Sequence, residues 1–276
     1  MERKIIDLDE FLGPELSRKI PRLVKIWLKR ILHVNELNEF ILNTDQPQGI
    51  GFFDVALKEL DITFSIRGGE YLDPQGRFVF AGNHPLGGPE GLIMGSVLKR
   101  YFEGNFRVPA NQLMAQFHPI KEFFVPVSIF GRQSREAANN LNQMFASDYQ
   151  VMIYPAGKCA KKIKGRITEE PWKKAFITQA RRYQRDVVPM HLSGHNSEFY
   201  FFLSNLSRFL GLKLNLGMLF LVDELFKKRH HHFVITFGEP IPWQTFDSTK
   251  TDQQWADWVK HKVSLLQEGN NCEPNM

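Results

Sequence analysis

Residues 77–101 read RFVFAGNHPLGGPEGLIMGSVLKRY, and this stretch decides the fold. Phe78 to Ala81 form a short, wholly apolar run, the pattern of a buried strand. A Gly/Pro-rich loop follows, then a helix over about Gly91 to Tyr101. Working outward, residues 61–67 alternate polar and apolar as a strand does, and further strands are expected at 124–129, 150–154, 187–192 and 233–237. Helices are expected at 134–147, 171–184, 216–228 and 252–267. Strands alternating with helices of this length indicate an α/β fold, a mostly parallel sheet flanked by helices. In such sheets chemistry gathers at the carboxyl ends of the strands. Three loops therefore carry the interest: those after Ala81, after Ile129 and after Tyr154.

The chain has 276 residues, 43% of them hydrophobic and 24% charged, which suits one large folded domain with an appendage and excludes general disorder. With 20 Gly and 15 Pro it is neither collagen-like nor low-complexity. The formal net charge is +5, from 35 Lys and Arg against 30 Asp and Glu. Two cysteines, Cys159 and Cys272, give no disulfide framework and suit a reducing compartment. The N-terminus lacks the apolar run of a secretory leader. The most apolar window, residues 199–222, contains Arg208 and Lys213 and is not read as a spanning helix.

Residues 14–33 read as a helix interrupted or started at Pro21. Ile20, Leu23, Val24, Trp27 and Ile31 recur at helical spacing, and Arg18, Lys19, Arg22, Lys25, Lys29 and Arg30 occupy much of the rest. A basic amphipathic helix carrying a Trp fits an anionic lipid interface; a surface helix docked on the core fits the same pattern.

In the first loop, His84 follows the buried strand directly, and Gly87 and Gly88 admit close approach to the backbone. Pro89 fits the first helical turn, with Glu90 beside it. His84 and Glu90 read either as a base with an orienting carboxylate or as a turn histidine beside a helix-start acid. The second loop, Phe130-Gly131-Arg132, precedes a helix that Ser134 can cap, and the planar fork of Arg132 suits a carboxylate or phosphate. The third, Tyr154-Pro155-Ala156-Gly157-Lys158-Cys159, opens a stretch to Arg185 with ten Lys or Arg and two acids, net +8. Such charge attracts phosphates, an acidic carrier protein or anionic lipid. Cys159 is read as structural, because no His or Asn nearby in sequence is spaced to activate it. No HExxH or other metal-ligand spacing is present, and no nucleic-acid recognition motif accompanies the basic charge.

These three loops, in this order, resemble the PlsC-like glycerolipid acyltransferase superfamily. Its first motif is a His with an Asp a few residues on, matched by Asn83-His84 with Glu90. Its second is an Arg near a Gly and an aromatic residue, matched by Phe130-Gly131-Arg132. Its third is Phe-Pro-Glu-Gly followed by a base, matched by Tyr154-Pro155-Ala156-Gly157 and then Lys161 or Lys162. An apolar strand ending in Pro looks like Val187-Val188-Pro189, and the likeness runs over about residues 60–242. The NHPxGG loop and the Pro-Ala-Gly third motif are most similar to a branch that includes hemolysin-annotated proteins and O-acyltransferases of lyso-ornithine and lyso-glycine lipids. Three departures stand out. The first carboxylate is Glu, one residue later than usual, the glutamate of the third motif is Ala156, and the base after that motif is matched by a lysine, Lys161 or Lys162, which lacks the bidentate fork.

The resemblance implies an O-acyltransferase working without a cofactor or metal. An acyl thioester on acyl carrier protein or coenzyme A would be the donor, and a lysolipid, foremost a lyso-aminolipid, the acceptor. Lysophosphatidate is the alternative acceptor, and a catalytically weak lipid-binding relative the alternative function. His84 and Glu90 would be catalytic. Arg132, Gly157, Lys158, Lys161 and Lys162 would hold the acceptor, and Asn83, Gly87 and Gly88 would support the loop and an oxyanion. The expected organisation is an N-terminal helical membrane-contact segment, residues 1–60, and an acyltransferase domain, residues 61–276 with its core at about 61–242. The chain would act in the cytoplasm, peripherally on the anionic inner face of the cell membrane, with no nucleic-acid partner.

Overall fold

The computed structural model of the chain describes residues 6–44, 48–110, 117–127, 134–211 and 215–268. Four short helices come first: α1 (Leu8–Leu12), α2 (Pro14–Lys19), α3 (Arg22–Ile31) and α4 (Val34–Asn43). The break expected at Pro21 is present, since Pro21 stands between α2 and α3. The remaining α-helices among the described residues are α5 (Gly51–Glu59), α6 (Pro89–Phe102), α7 (Arg135–Ala146), α8 (Ala175–Arg182), α9 (Glu198–Phe209), α10 (Leu221–Lys227) and α11 (Asp252–Glu268).

Seven strands form the main sheet in the order β1 (Thr63–Arg67), β9 (His232–Phe237), β8 (Asp186–Leu192), β2 (Phe78–Gly82), β5 (Gln150–Ile153), β3 (Phe106–Ala110), β4 (Phe124–Pro126). All pairings are parallel except β8 with β9. A two-stranded hairpin, β6 (Lys161–Ile163) and β7 (Arg166–Thr168), stands apart. Every residue of β2 is buried, as parallel strands covered on both faces require. Side chains alternate across it. Phe78 and Phe80 join a core with α5 and α6, where Phe53 and Val97 lie, while Val79 and Ala81 join a second core with α8 and α11.

The second core hides a polar anchor. Arg185 belongs to the basic stretch read as a surface feature, yet its residue is fully buried. Its guanidinium donates to the backbone carbonyls of Phe145 (2.7 Å), Tyr149 (2.8 Å), Phe78 (3.3 Å) and Ser147. Arg77 donates to neighbouring carbonyls of Ala146 and Tyr183. The two side chains satisfy carbonyls at the end of α7 that no helical N–H reaches.

Local differences from the sequence reading have physical causes. The helix expected from 171 starts only at Ala175, because the Lys173 N–H turns back to the Pro155 carbonyl. The helix expected over 216–228 divides into a 3-10 turn, Leu216–Phe220, and α10. Strand β3 was hidden by Pro109, a residue that ordinarily argues against a paired strand. A division at residue 60 is not where the packing parts, because Phe52, Phe53, Ala56 and Leu57 of α5 belong to the main core. A separate small cluster holds Leu8, Leu28 and Ile31 with Leu219 and Phe220 packed against it.

Candidate active site

Ala81 of β2 lies beside Ile153 of β5, so the first and third loops open side by side at one sheet edge. Asn83 anchors the first loop: its amide donates to the Leu192 carbonyl and accepts from the Leu192 N–H, both at 2.8 Å. Glu90, in the first turn of α6, is 2% exposed. Its Oε1 accepts the N–H groups of Leu86 and Gly87 at 2.7 Å each and lies 3.1 Å from His84 Nδ1. Its Oε2 has no hydrogen-bond partner among the described residues, and Glu90 lines a small cavity with Tyr154 and Met190. Glu90 thus folds the turn and holds the imidazole with one oxygen.

The third loop supplies the other walls. The Tyr154 ring stacks on His84, 4.5 Å between centroids and 14° from parallel. The Ala160 N–H donates to the His84 carbonyl at 2.8 Å. Glu169 accepts the His84 N–H on Oε1 and the Trp172 indole N–H on Oε2. Sequence reasoning counted Glu169 only as a charge; its one signal was Trp172, three residues on. The Cys159 thiol lies beside the Gly87 backbone of the first loop, a neighbour invisible in local spacing. A β-carbon on residue 87 would come within 2.6 Å of Cys159 Sγ, and φ is +90° there, so glycine is required twice over.

Burial opposes charge on His84, but Cys159 and then Glu90 outweigh it and hold the imidazole pKa well above its ordinary value. Burial likewise works to raise Glu90, and the His84 hydrogen bond and charge, with the Gly87 N–H, instead bring it below the ordinary carboxylate value. Each member of the pair favours the charged form of the other. His84 stabilises the fold fully below 6.5, its ordinary value, and loses that contribution as pH rises through its raised pKa. Glu90 contributes fully above 4.5 and loses it as pH falls through its lowered pKa. The melting-temperature gap between wild type and His84→Ala should therefore be widest near about pH 5.5 and narrow in alkaline buffer; a gap independent of pH would contradict the pairing.

The other expected site residues are distributed unevenly. Gly131 and Arg132 lie outside the described residues. Lys161 pairs with Glu170 at 2.6 Å and Lys162 with Glu198, so both carry partners already. Gly157 and Lys158 are exposed. The N–H groups of Gly87 and Gly157 are engaged, on Glu90 and on the Tyr154 carbonyl; those of Gly88 and Cys159 have no acceptor among the described residues. Ala156 is buried in the second core and cannot present a side chain to a ligand. Among the described residues no group of three or more His, Cys, Asp and Glu is placed to hold a metal.

An imidazole fixed at Nδ1 by a carboxylate can exchange a proton at Nε2, beside unused N–H donors at a glycine-rich sheet edge. The family whose sequence profile matches residues 9–272 is described as acyltransferase. The chain belongs to the acyltransferase family. Two relatives bear the name lyso-glycine lipid O-acyltransferase. That of Phocaeicola vulgatus is 40% identical over 265 residues, covering 95% of each chain. That of Bacteroides thetaiotaomicron is 39% identical over 265 residues, 95% of this chain and 97% of its own. The fold of this acyltransferase is PlsC-like. It superposes on the crystal structure of the 1-acyl-sn-glycerophosphate acyltransferase PlsC of Thermotoga maritima with a TM-score of 0.53, at 14% identity, over 96% of this chain and 85% of that one.

Proposed function

We propose that this acyltransferase moves a fatty acyl group from a thioester, carried by acyl carrier protein or coenzyme A, onto a hydroxyl of a lysolipid with a carboxylate headgroup. The observation that carries the reading is the pairing of a half-buried His84 with a buried Glu90 in a chain 40% identical to a lyso-glycine lipid O-acyltransferase. His84 Nε2 removes the acceptor hydroxyl proton, Glu90 fixes the ring at Nδ1 and stabilises the imidazolium, and the Gly88 and Cys159 N–H groups face the developing oxyanion. Arg132 and Lys158 hold the headgroup. Ala156 leaves out the glutamate that the third motif carries elsewhere, which supports an acceptor other than glycerol 3-phosphate. The test is transfer from palmitoyl thioesters to a panel of lysolipids. A lysolipid bearing a carboxylate should be acylated faster than lysophosphatidate or glycerol 3-phosphate. Preference for either phosphate overturns the acceptor, and no transfer at all overturns the reading.

The chain would meet its acceptor at a bilayer. No helix among the described residues is long and apolar enough to cross one. On α3 only Leu28 and Ile31 are buried, while Leu23, Val24, Ile26 and Trp27 are exposed, Leu23 by 80%. Trp27 meets Phe220 edge-on at 5.8 Å, and Phe220 meets Phe199 of α9 at 5.2 Å. Phe202, Phe209 and Leu210 extend this exposed apolar band. Arg22, Lys29 and Arg30 flank it exposed, whereas Lys25 is tied to Asp9 at 2.7 Å. The face combines apolar wedges with bases, as an anionic interface requires. Each base near such a surface contributes about 1 kcal/mol. Replacing Arg22, Lys29 and Arg30 by glutamine should therefore weaken binding to phosphatidylglycerol vesicles by about 100-fold. Binding insensitive both to those changes and to salt would remove α3 as an anchor.

A further inference from the structure

We infer that Glu169 is a positioning residue for the transfer: its carboxylate fixes the backbone of His84 from the second core, as Glu90 fixes the ring from the main core. This deepens the proposed function and rests on it. Glu169 and Glu170 are the two acids among ten bases from Lys158 to Arg185. Glu170 pairs with Lys161 at 2.6 Å, as an acid in such company ordinarily does. Glu169, half-buried between β7 and α8, forms no ion pair among the described residues. Both its oxygens are committed to neutral donors instead. Oε1 accepts the His84 N–H, and Oε2 accepts the Trp172 indole N–H at 3.1 Å.

His84 stands two residues beyond β2, whose pairing with β5 ends at Ala81 and with β8 at Gly82. The ladder no longer supplies an acceptor for its N–H, and a carboxylate oxygen does, in a charge-assisted bond stronger than a neutral one. The Ala160 N–H holds the carbonyl of the same residue at 2.8 Å, so residue 84 is gripped at both of its backbone polar groups. Glu169 is held from behind. Trp172 is 1% exposed, meets Phe176 edge-on at 5.9 Å, and its carbonyl accepts from Gln253 of α11 at 2.9 Å. The ring meanwhile is held by Glu90 of α6, a helix whose Leu92, Ile93 and Met94 lie in the main core. An imidazole that takes a proton from a hydroxyl on a separate molecule needs Nε2 fixed in space, because a displacement of about 1 Å costs about 10²-fold in rate. Both partners of Glu169 are donors. A carboxylate satisfies the two together, whereas an amide has one accepting and one donating end.

The test measures steady-state transfer with the palmitoyl thioester and the lysolipid that wild type uses fastest, together with melting temperatures and hydrogen exchange of the His84 amide. Glu169→Leu removes both acceptors. Its kcat should fall about 10–100-fold, with KM for donor and acceptor within about twofold of wild type, and its His84 amide should exchange at least about tenfold faster. Trp172→Phe deletes the buried indole donor but leaves Oε1 on His84. It should lower the melting temperature and keep kcat within about threefold of wild type. In that background Glu169→Gln has its amide oxygen free for the His84 N–H and no indole N–H opposing its amino group. Its kcat should stay within about threefold of Trp172→Phe alone, while Glu169→Leu in the same background still shows the full loss. A carboxylate that only stabilised the fold would instead give rates that follow the melting temperatures. The positioning role is overturned by a Glu169→Leu kcat within about threefold of wild type, by a loss in KM rather than kcat, or by a glutamine double variant no faster than the leucine one. The double variants decide the matter if Glu169→Leu alone fails to fold. Wild type acylating no lysolipid overturns the proposed function instead, and exchange of the His84 amide then still decides whether Glu169 holds it.

Discussion

Transfer by the His84→Ala variant should fall by about 10²–10⁴-fold or to background, with the circular dichroism spectrum unchanged, because proton exchange by a positioned imidazole supplies an acceleration of that size. The companion change Glu90→Gln separates orientation from charge. A glutamine oxygen can still accept the Leu86 and Gly87 N–H groups that Oε1 accepts now, so the turn should persist. The amide cannot stabilise an imidazolium, so activity should drop by about 10²-fold or more. Glu90→Asp tests the reach of the side chain. Shortening it by one carbon–carbon bond, about 1.5 Å, withdraws the oxygen from three partners at once. That variant should therefore lose stability as well as activity. Wild-type rates in Glu90→Gln would reduce the carboxylate to a turn-former, and wild-type rates in His84→Ala would remove the site.

The second large effect is on stability. Arg185→Met keeps much of the side-chain volume and deletes the Arg185 donors to four backbone carbonyls, of which those of Phe145 and Ser147 keep a donor from Arg77 while those of Phe78 and Tyr149 lose theirs from Arg185. An acceptor left unsatisfied in the interior costs about 1–3 kcal/mol, and relaxation will recover only part of the sum. A loss of at least about 3 kcal/mol is expected, a fall in melting temperature of about 6–12 °C. Arg182→Met changes an exposed residue in the same basic stretch and serves as the control, expected within about 0.5 kcal/mol of wild type. Equal melting temperatures for the two variants would refute the anchoring role.

That contrast explains what the sequence could convey. Contiguous apolar runs such as Phe78–Ala81 and Val187–Val188 announced central strands because burial on both faces leaves no alternation. The His84 loop was legible because the strand, the histidine, the glycines and the acid lie within one short segment. The surroundings of Cys159 were illegible for the opposite reason: it meets Gly87 on another loop, and only the adjacency of β2 and β5 joins them. Glu169 and Arg185 were counted as charges. Their work is done on backbone groups, whose positions no pattern of side chains records. Lys161 and Lys162 were legible as cations, but their partners Glu170 and Glu198 are set by the β6–β7 hairpin and by α9, two elements the sequence reading did not anticipate.

The sheet order has a consequence for how the chain is made. Strand β1 has β9 as its partner, and Thr63 sits opposite His232, 169 residues later. At a synthesis rate of about 5–20 residues per second, the nascent β1 waits on the order of ten to thirty seconds before its partner leaves the ribosome. During that interval α3 and its exposed Trp27 have already emerged. A bilayer is therefore within reach of the amphipathic helix before the sheet can close. A chain arrested before β9 presents β1 as a bare edge, open to any other extended segment.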